Sequence, residues 1–203
     1  MLRTLCVGVT LLFSLAAAAS KSFVPLPPEK PGDPPSGLQA QIVGYSGSTN
    51  GALTLDVRNP TGAPIEFAAA GLYFVPTGDP DKSPQRLGAV GSYEVQSKEQ
   101  TWKRQEKISI APGMTVRTRL DVYCIDSHRP SPTSSTPFRL AKDRVPVDIT
   151  QAIHRDSTEA AKSYGGVAAP AAKSAVQTEV WKNRDRKWVP LDGESRQEAN
   201  KAH

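Results

Sequence analysis

The feature that most limits how this chain folds is the stretch 114–124, in which apolar and polar side chains alternate. Successive side chains of a β-strand point to opposite faces, so the pattern predicts a strand with one buried and one solvated face. The predicted core face comprises Met114, Val116, Thr118, Leu120, Val122 and Cys124. The predicted solvated face comprises Thr115, Arg117, Arg119, Asp121 and Tyr123. A slip of one residue would bury Arg117 and Arg119, so the register is strongly specified.

Shorter segments of the same kind recur along residues 38–126, separated by turns rich in Pro and Gly. Candidate strands lie around residues 53–57, 65–67, 71–75, 87–95 and 108–110, with turns at 59–62, 76–84 and 111–113. Since strand 65–67 follows strand 53–57 after one turn, we expect the two to form a hairpin. Short strands without intervening helices predict a mainly β fold, an antiparallel β-sandwich over residues 38–145.

Residues 53–126 resemble the immunoglobulin-like domains of bacterial exported proteins. The resemblance lies in the string LTLDVRNPTGAPIEF at residues 53–67 and in ISIAPGMTV at residues 108–116. It implies an immunoglobulin-like sandwich in which the NPTG turn joins two early strands and the PG turn precedes a late one. Some members of this broad group resemble the small sandwich of bacterial proteinase inhibitors. This segment departs from antibody domains because it contains one cysteine, Cys124, and so has no pair to bridge the sheets.

The N-terminal residues have the layout of a secretory signal peptide. Arg3 supplies a positive charge, residues 5–15 form an apolar run, and residues 16–20 are small. The run is shorter than the roughly 20 residues of a membrane-spanning helix, so we predict a signal peptide at residues 1–19 and no transmembrane segment. This predicts an exported protein, periplasmic or secreted. Residues 20–37 are rich in proline, which excludes helix and inner strand and predicts an extended linker.

Charge and cysteine content narrow the classes of partner and site. Cleavage of the signal removes Arg3 and lowers the formal charge from +5 to +4, which does not fit a dedicated binder of nucleic acid. Cys124 is then the one remaining cysteine, followed closely by Asp126 and His128. Residues this close along a chain do not make a catalytic triad, and no second ligand pair for a metal accompanies them. We therefore predict no catalytic, metal or cofactor site; Cys124 is a buried core residue or forms an intermolecular disulfide in a dimer.

Beyond residue 146 the apolar period becomes helical. One helix is predicted to open at residues 148–150 and to end at the glycines 165–166, and a second follows Pro170. The apolar faces predicted for them contain Ile149, Ala152, Ile153, Ala172, Ala175, Val176 and Val180. Together the helices form a predicted appendage at residues 146–189, followed by a disordered tail at residues 190–203.

A basic segment, residues 181–188, places four cations between two tryptophans. Cations and indole rings together are typical of sites for anionic polymers, membrane headgroups or sugars. The predicted anionic-surface site comprises Trp181, Lys182, Arg184, Arg186, Lys187 and Trp188. The alternative is structural, since cations near a helix C-terminus are favoured by the helix dipole and Trp181 can anchor the helix to the sheet.

The functional prediction is a non-catalytic binding or scaffold module of the cell envelope or extracellular space, which presents loops from a rigid β fold. Its predicted partner is a protein or a cell-envelope polymer. The alternative is a proteinase inhibitor that uses the exposed loop at residues 76–85, suggested by the family resemblance. An enzyme is the third hypothesis.

Overall fold

A computed structural model describes residues 22–30, 32–47, 51–78, 83–163, 170–186 and 190–191. Within them the chain forms ten strands and two helices. The strands are β1 (Val24–Pro25), β2 (Gln39–Ser46), β3 (Ala52–Arg58), β4 (Ile65–Ala68), β5 (Tyr73–Pro76), β6 (Leu87–Gln96), β7 (Trp102–Gln105), β8 (Lys107–Ile110), β9 (Thr115–Cys124) and β10 (Phe138–Leu140). The helices are α1 (Val147–Ser163) and α2 (Pro170–Arg186). The fold is therefore mainly β with two helices, as the sequence predicts.

Eight of the described strands form one antiparallel sheet, the main sheet. Its strands follow the order β1-β2-β3-β9-β6-β5-β10, and β7 pairs with β6. The sheet curves until β10 approaches β2, where the rings of Tyr45 and Phe138 meet edge to face with centroids 5.4 Å apart. The main sheet is thus a nearly closed barrel, and we call the gap between β2 and β10 the seam. An immunoglobulin-like sandwich stays a prediction.

Strand β9 lies at the centre of the main sheet in the register that its alternation predicts. Arg117 and Arg119 lie on the outer face and pair with Asp56 of β3 and Glu94 of β6. The fully buried side chains of this strand's inner face are Thr118, Leu120, Val122 and Cys124. The inner face of β9 therefore contributes a continuous row to the barrel core.

Two residues of the 114–124 pattern do not lie where it predicts. Met114 is 52% exposed, because it belongs to the turn before β9, where its amide donates to the carbonyl of Ala111 at 3.1 Å. Tyr123 is only 2% exposed, because the helices cover the end of β9 that carries it. The face predicted to be solvated is solvated only over the first part of the strand.

The predicted hairpin between residues 53–57 and 65–67 is wrong. Strand β3 pairs with β2 and β9, whereas β4 pairs with β8 in a separate two-stranded sheet. The cause lies in the turn between them, where Asn59 is fully buried and its side-chain amide donates to the carbonyl of Ile110 at 2.8 Å. This bond ties the turn to the end of β8, so the chain continues into the sheet of β8.

The core divides into two clusters. The first fills the barrel and includes Phe67 and Tyr93, whose ring centroids are 5.2 Å apart. The Tyr93 hydroxyl also donates a hydrogen bond to the Phe67 carbonyl at 3.0 Å. The second lies between the main sheet and the helices. The helix residues that were predicted to be buried and are buried are Ile149, Ala152, Ile153, Ala172, Val176 and Val180; Ala175 is half-buried.

The proline-rich segment contributes to the barrel rather than only leading to it. Strand β1 pairs with β2 at the edge of the main sheet, and the amide of Leu26, which is 2% exposed, donates to the carbonyl of Leu38 at 2.9 Å. Part of the predicted linker is therefore anchored.

Several predicted segments fall outside the described residues. These are the signal peptide at residues 1–19, the helix-capping glycines 165–166, and the tail beyond residue 191. Neither of the two described helices has the length and hydropathy that a membrane-spanning helix requires.

Candidate functional site

A groove follows the seam of the barrel. It has a volume of about 980 Å³, close to the upper end of the range of small-molecule sites. One wall is formed by β1 and β2, and the other by residues 134–142, which include β10. The apolar lining comprises Val24, Pro25, Leu26, Ala40, Ile42, Val43, Tyr45, Phe138 and Leu140, with several prolines beside them. The groove exists because β2 and β10 approach without pairing as neighbouring strands of the sheet.

The charges along the groove have one sign. Among its described lining residues the charged ones are Arg139 and Lys142, both of which are exposed, and no carboxylate is present. Lys142 forms no ion pair within the described part of the chain. An apolar trough with cations on one wall favours an apolar ligand that carries a negative end.

The outer face of the barrel has a different electrostatic character, because its cations are paired across strands. Arg117 binds Asp56 with two hydrogen bonds of 2.7 and 2.8 Å, and Arg104 of β7 pairs with Asp121 of β9. Arg119 pairs with Glu94 and also stacks over the ring of Trp102. These ion pairs neutralise much of the positive charge on the described outer face, which weakens its attraction for polyanions.

Where the helices cover the sheet, a buried ion pair joins two loop ends. The guanidinium of Arg86 donates from Nε to Oδ2 of Asp126 at 2.9 Å and from Nη2 to Oδ1 at 2.7 Å, and the Arg86 amide adds a third bond to the same carboxylate. Burial alone would raise the pKa of Asp126, but the bonds and charge of Arg86 outweigh it and hold the pKa below its usual range. Asp126 is therefore a fixed anion that is bound to an arginine.

The position of Cys124 makes its thiol unreactive. It ends β9 inside the barrel core with no exposed surface. Burial, followed by the charge of Asp126, raises the pKa of the thiol to about 12, so the nucleophilic thiolate is scarce at neutral pH. A disulfide to another chain would require the core to open first.

Asp126 and Cys124 are each bound by residues of other elements. The carboxylate of Asp126 is bound by Arg86, and the backbone of Cys124 is held by Gln177 of α2. The side-chain oxygen of Gln177 accepts from the Cys124 amide at 2.9 Å, and the side-chain nitrogen of Gln177 donates to the Cys124 carbonyl at 2.7 Å. Groups of three or more metal-ligating side chains are not found among the described residues.

The basic segment splits between the interior and solvent. Trp181 packs against the barrel core and donates from Nε1 to the side chain of Gln85 at 3.2 Å, and Arg184 is 5% exposed. Lys182 and Arg186 are exposed, and Lys182 pairs with Glu179 at 2.8 Å. Lys187 and Trp188 lie outside the described residues. These positions favour the anchoring interpretation of Trp181, and the anionic-surface site stays a prediction.

The loop on which the inhibitor hypothesis depends is described only at its ends. Pro76 and Gln85 are both buried, and residues 79–82 fall outside the described ranges. The ends of this loop are therefore anchored in the fold.

Sequence reasoning missed the groove. Strand β10 is short and follows a segment rich in prolines and serines, so nothing in its sequence predicts that it meets β2. It also missed Gln177, although a polar residue within an apolar helix face is a signal that the backbone opposite needs a partner.

The comparisons with known proteins found no relative. No family model matches this chain, and neither a curated protein nor a solved structure is similar to it.

Proposed function

We propose that this protein is a non-catalytic exported binding module whose ligand lies in the seam groove. The observation that carries the proposal is the groove itself, an apolar trough of about 980 Å³ with its described charges all positive. The ligand class that fits is an amphiphile of the cell envelope with an apolar chain and one acidic end.

Both parts of the ligand have a counterpart in the groove. Ile42 and Leu140 line opposite walls and are half-buried, so an acyl chain between them would remove further apolar surface from water. Lys142 and Arg139 lie on the wall formed by residues 134–142, where an acidic end would meet the charge of Lys142. A polar polymer would leave the apolar walls in contact with water.

The reactive groups support binding rather than chemistry. Cys124 is buried with a raised pKa, and Asp126 is bound by Arg86. Neither is among the lining residues of the groove. The exported setting and the immunoglobulin-like relationship of residues 53–126 are part of this proposal, supported by the signal-like N-terminus and by the antiparallel sheets.

The test uses protein purified after expression of the whole chain in a host that exports it. The probe is 11-(dansylamino)undecanoic acid, whose fluorescence rises in an apolar site, and palmitate and hexadecanol are the competitors. We expect one saturable site from which palmitate displaces the probe more strongly than hexadecanol.

Substitutions separate the groove from the rest of the surface. Leu140→Glu places a carboxylate on the apolar wall and should weaken probe binding by about tenfold or more. Met114→Glu makes the same change at an exposed residue away from the groove and should leave binding unchanged. Lys142→Gln should weaken palmitate by about two- to fivefold without affecting hexadecanol.

Three results would count against the proposal. The first is the absence of saturable probe binding, and the second is an equal effect of Leu140→Glu and Met114→Glu on that binding. The third is stoichiometric inhibition of a panel of proteases by protein that does not bind the probe. The last result would favour the inhibitor hypothesis.

A further inference from the structure

A second, smaller cleft lies between the proline-rich segment, the end of β4 and the start of α1. Its volume is about 200 Å³, and it shares no lining residue with the seam groove. Its lining includes Glu29 and Lys30, Ala68 and Ala70, and Arg144. We call it the Arg144 cleft.

The guanidinium of Arg144 is held by three backbone carbonyls. Nε donates to Pro27 at 3.4 Å, and Nη1 donates to Ala68 at 3.0 Å and to Ala70 at 2.7 Å. A guanidinium has five N–H donors, so these bonds use three of them and leave the two on Nη2. Within the described residues no protein acceptor binds Nη2. Its orientation is therefore fixed while one edge stays available.

No anionic group among the described residues contacts this arginine. Ion pairs among the described residues do not include Arg144, Glu29 or Lys30. Burial lowers the pKa of Arg144, and the charge of Glu29 acts on it only from a distance. A largely desolvated cation of this kind is stabilised by an anion that can reach its open edge.

We propose that the Arg144 cleft binds a carboxylate carried by a short apolar group. An N–H donor of Nη2 binds the carboxylate, and the methyl groups of Ala68 and Ala70 contact the apolar part. Lys30 and Glu29 also line the cleft with opposite charges, so Arg144 supplies the attraction for an anion. The small volume excludes large ligands, which are typically bound in sites of roughly 300–1,000 Å³. A short organic acid and the C-terminus of a peptide share this chemistry.

The test is a titration of the ¹⁵N-labelled full-length protein at pH 7 and constant ionic strength. The probes are propionate for the free acid, N-acetyl-alanine for a peptide end, and propionamide as the neutral isostere. We expect saturable shifts of the Arg144 Nε–H and Ala70 amide signals with the carboxylates and none with propionamide. Tighter binding of N-acetyl-alanine would identify a peptide end, and tighter binding of propionate a free acid. Non-saturating shifts, or phosphate binding as tightly as propionate, would overturn the proposal.

Variants test the role of the guanidinium. Arg144→Lys keeps the charge but loses the planar guanidinium that three carbonyls hold in position, so propionate should bind about tenfold more weakly. Arg104→Lys, on the outer face of the barrel, is the matched control and should bind as the wild type does. Equal affinity in the wild type and Arg144→Lys would contradict the assignment.

A second variant is independent of the folding role of Arg144. Ala70 is exposed, so Ala70→Glu places a carboxylate beside Nη2 without removing the arginine. We expect it to abolish propionate binding while the fold remains intact. Undiminished propionate binding in Ala70→Glu would overturn the proposal. The seam groove is not altered by this change, so probe binding there should persist, which separates the two proposals.

Discussion

The helix-covered side of the main sheet and the seam bury their surfaces in different ways. Under α1 and α2, polar and charged side chains such as Arg86, Asp126 and Gln177 are buried and bonded to defined partners. At the seam the walls are apolar, the charges are exposed, and space remains between β2 and β10. Satisfied polar groups fix the relative position of two elements, whereas an unfilled apolar trough can accept another molecule. We infer that the first region supports stability and the second supports binding.

The largest test of this contrast is Asp126→Ala. It leaves the guanidinium of Arg86 buried without its carboxylate, so the free energy of unfolding should fall by about 3–5 kcal/mol, measured by urea denaturation. Asp56→Ala is the matched control, because Asp56 also binds an arginine with two bonds but its Arg117 is 45% exposed; it should cost about 0.2–1 kcal/mol. Similar losses in the two variants would show that burial does not distinguish the pairs.

The next test is Gln177→Ala. It leaves the amide and the carbonyl of Cys124 without the side chain that binds both, so we expect a loss of about 2–3 kcal/mol. The exposed neighbour Thr178, whose hydroxyl bonds within its own helix, provides the control Thr178→Ala. If Gln177→Ala unfolds at the same urea concentration as Thr178→Ala, Gln177 does not hold α2 to the sheet.

Acid should act through Asp126, with a smaller effect than either substitution. The pKa of Asp126 is about 4 in the unfolded chain and lower in the folded chain. Between these two pKa values the folded state therefore binds fewer protons than the unfolded state. The stabilisation is therefore present above the unfolded-state pKa and is lost as the pH falls through the folded-state pKa. The free energy of unfolding should decrease below about pH 4 more steeply in the wild type than in Asp126→Asn. Parallel profiles would assign the acid sensitivity to other carboxylates.

The smallest expected effect is at the seam. The edge-to-face contact of Tyr45 and Phe138 should contribute a coupling free energy of about 0.5–1.5 kcal/mol in a double-mutant cycle with leucine replacements. The same replacements should alter probe binding in the groove, because both rings line it. A coupling free energy larger than the loss of unfolding free energy in Gln177→Ala would show that the seam stabilises the fold. It would weaken the assignment of the seam as a binding groove.

Some of this structure follows from local pattern. The alternation of residues 114–124 predicts β9 and its register, since charged Arg117 and Arg119 cannot exchange places with Val116 and Leu120 without being buried. The helical spacing after residue 146 likewise predicts α1 and α2, because period and capping residues are properties of neighbouring positions. For the same reason the strand composition predicts a mainly β fold.

The partner of each strand was decided by contacts between distant residues. The buried amide of Asn59 bonds to Ile110, and this takes β4 away from β3 and into the sheet with β8. Tyr123 is buried because the helices lie over the end of β9, and Met114 is exposed because the turn precedes the sheet. The burial or exposure of these residues cannot be predicted from the residues next to them along the chain.

By itself, the sequence determined that the chain is mainly β, where it becomes helical and which face of β9 is apolar, because these depend on the order of side chains within one element. The tertiary structure alone decided that the barrel stays open between β2 and β10, that Arg144 meets three carbonyls from two other segments, and that Gln177 binds the backbone of Cys124. Both proposed sites lie where separate segments converge. Their physical basis is the position of groups that are far apart along the chain, which local propensity does not specify.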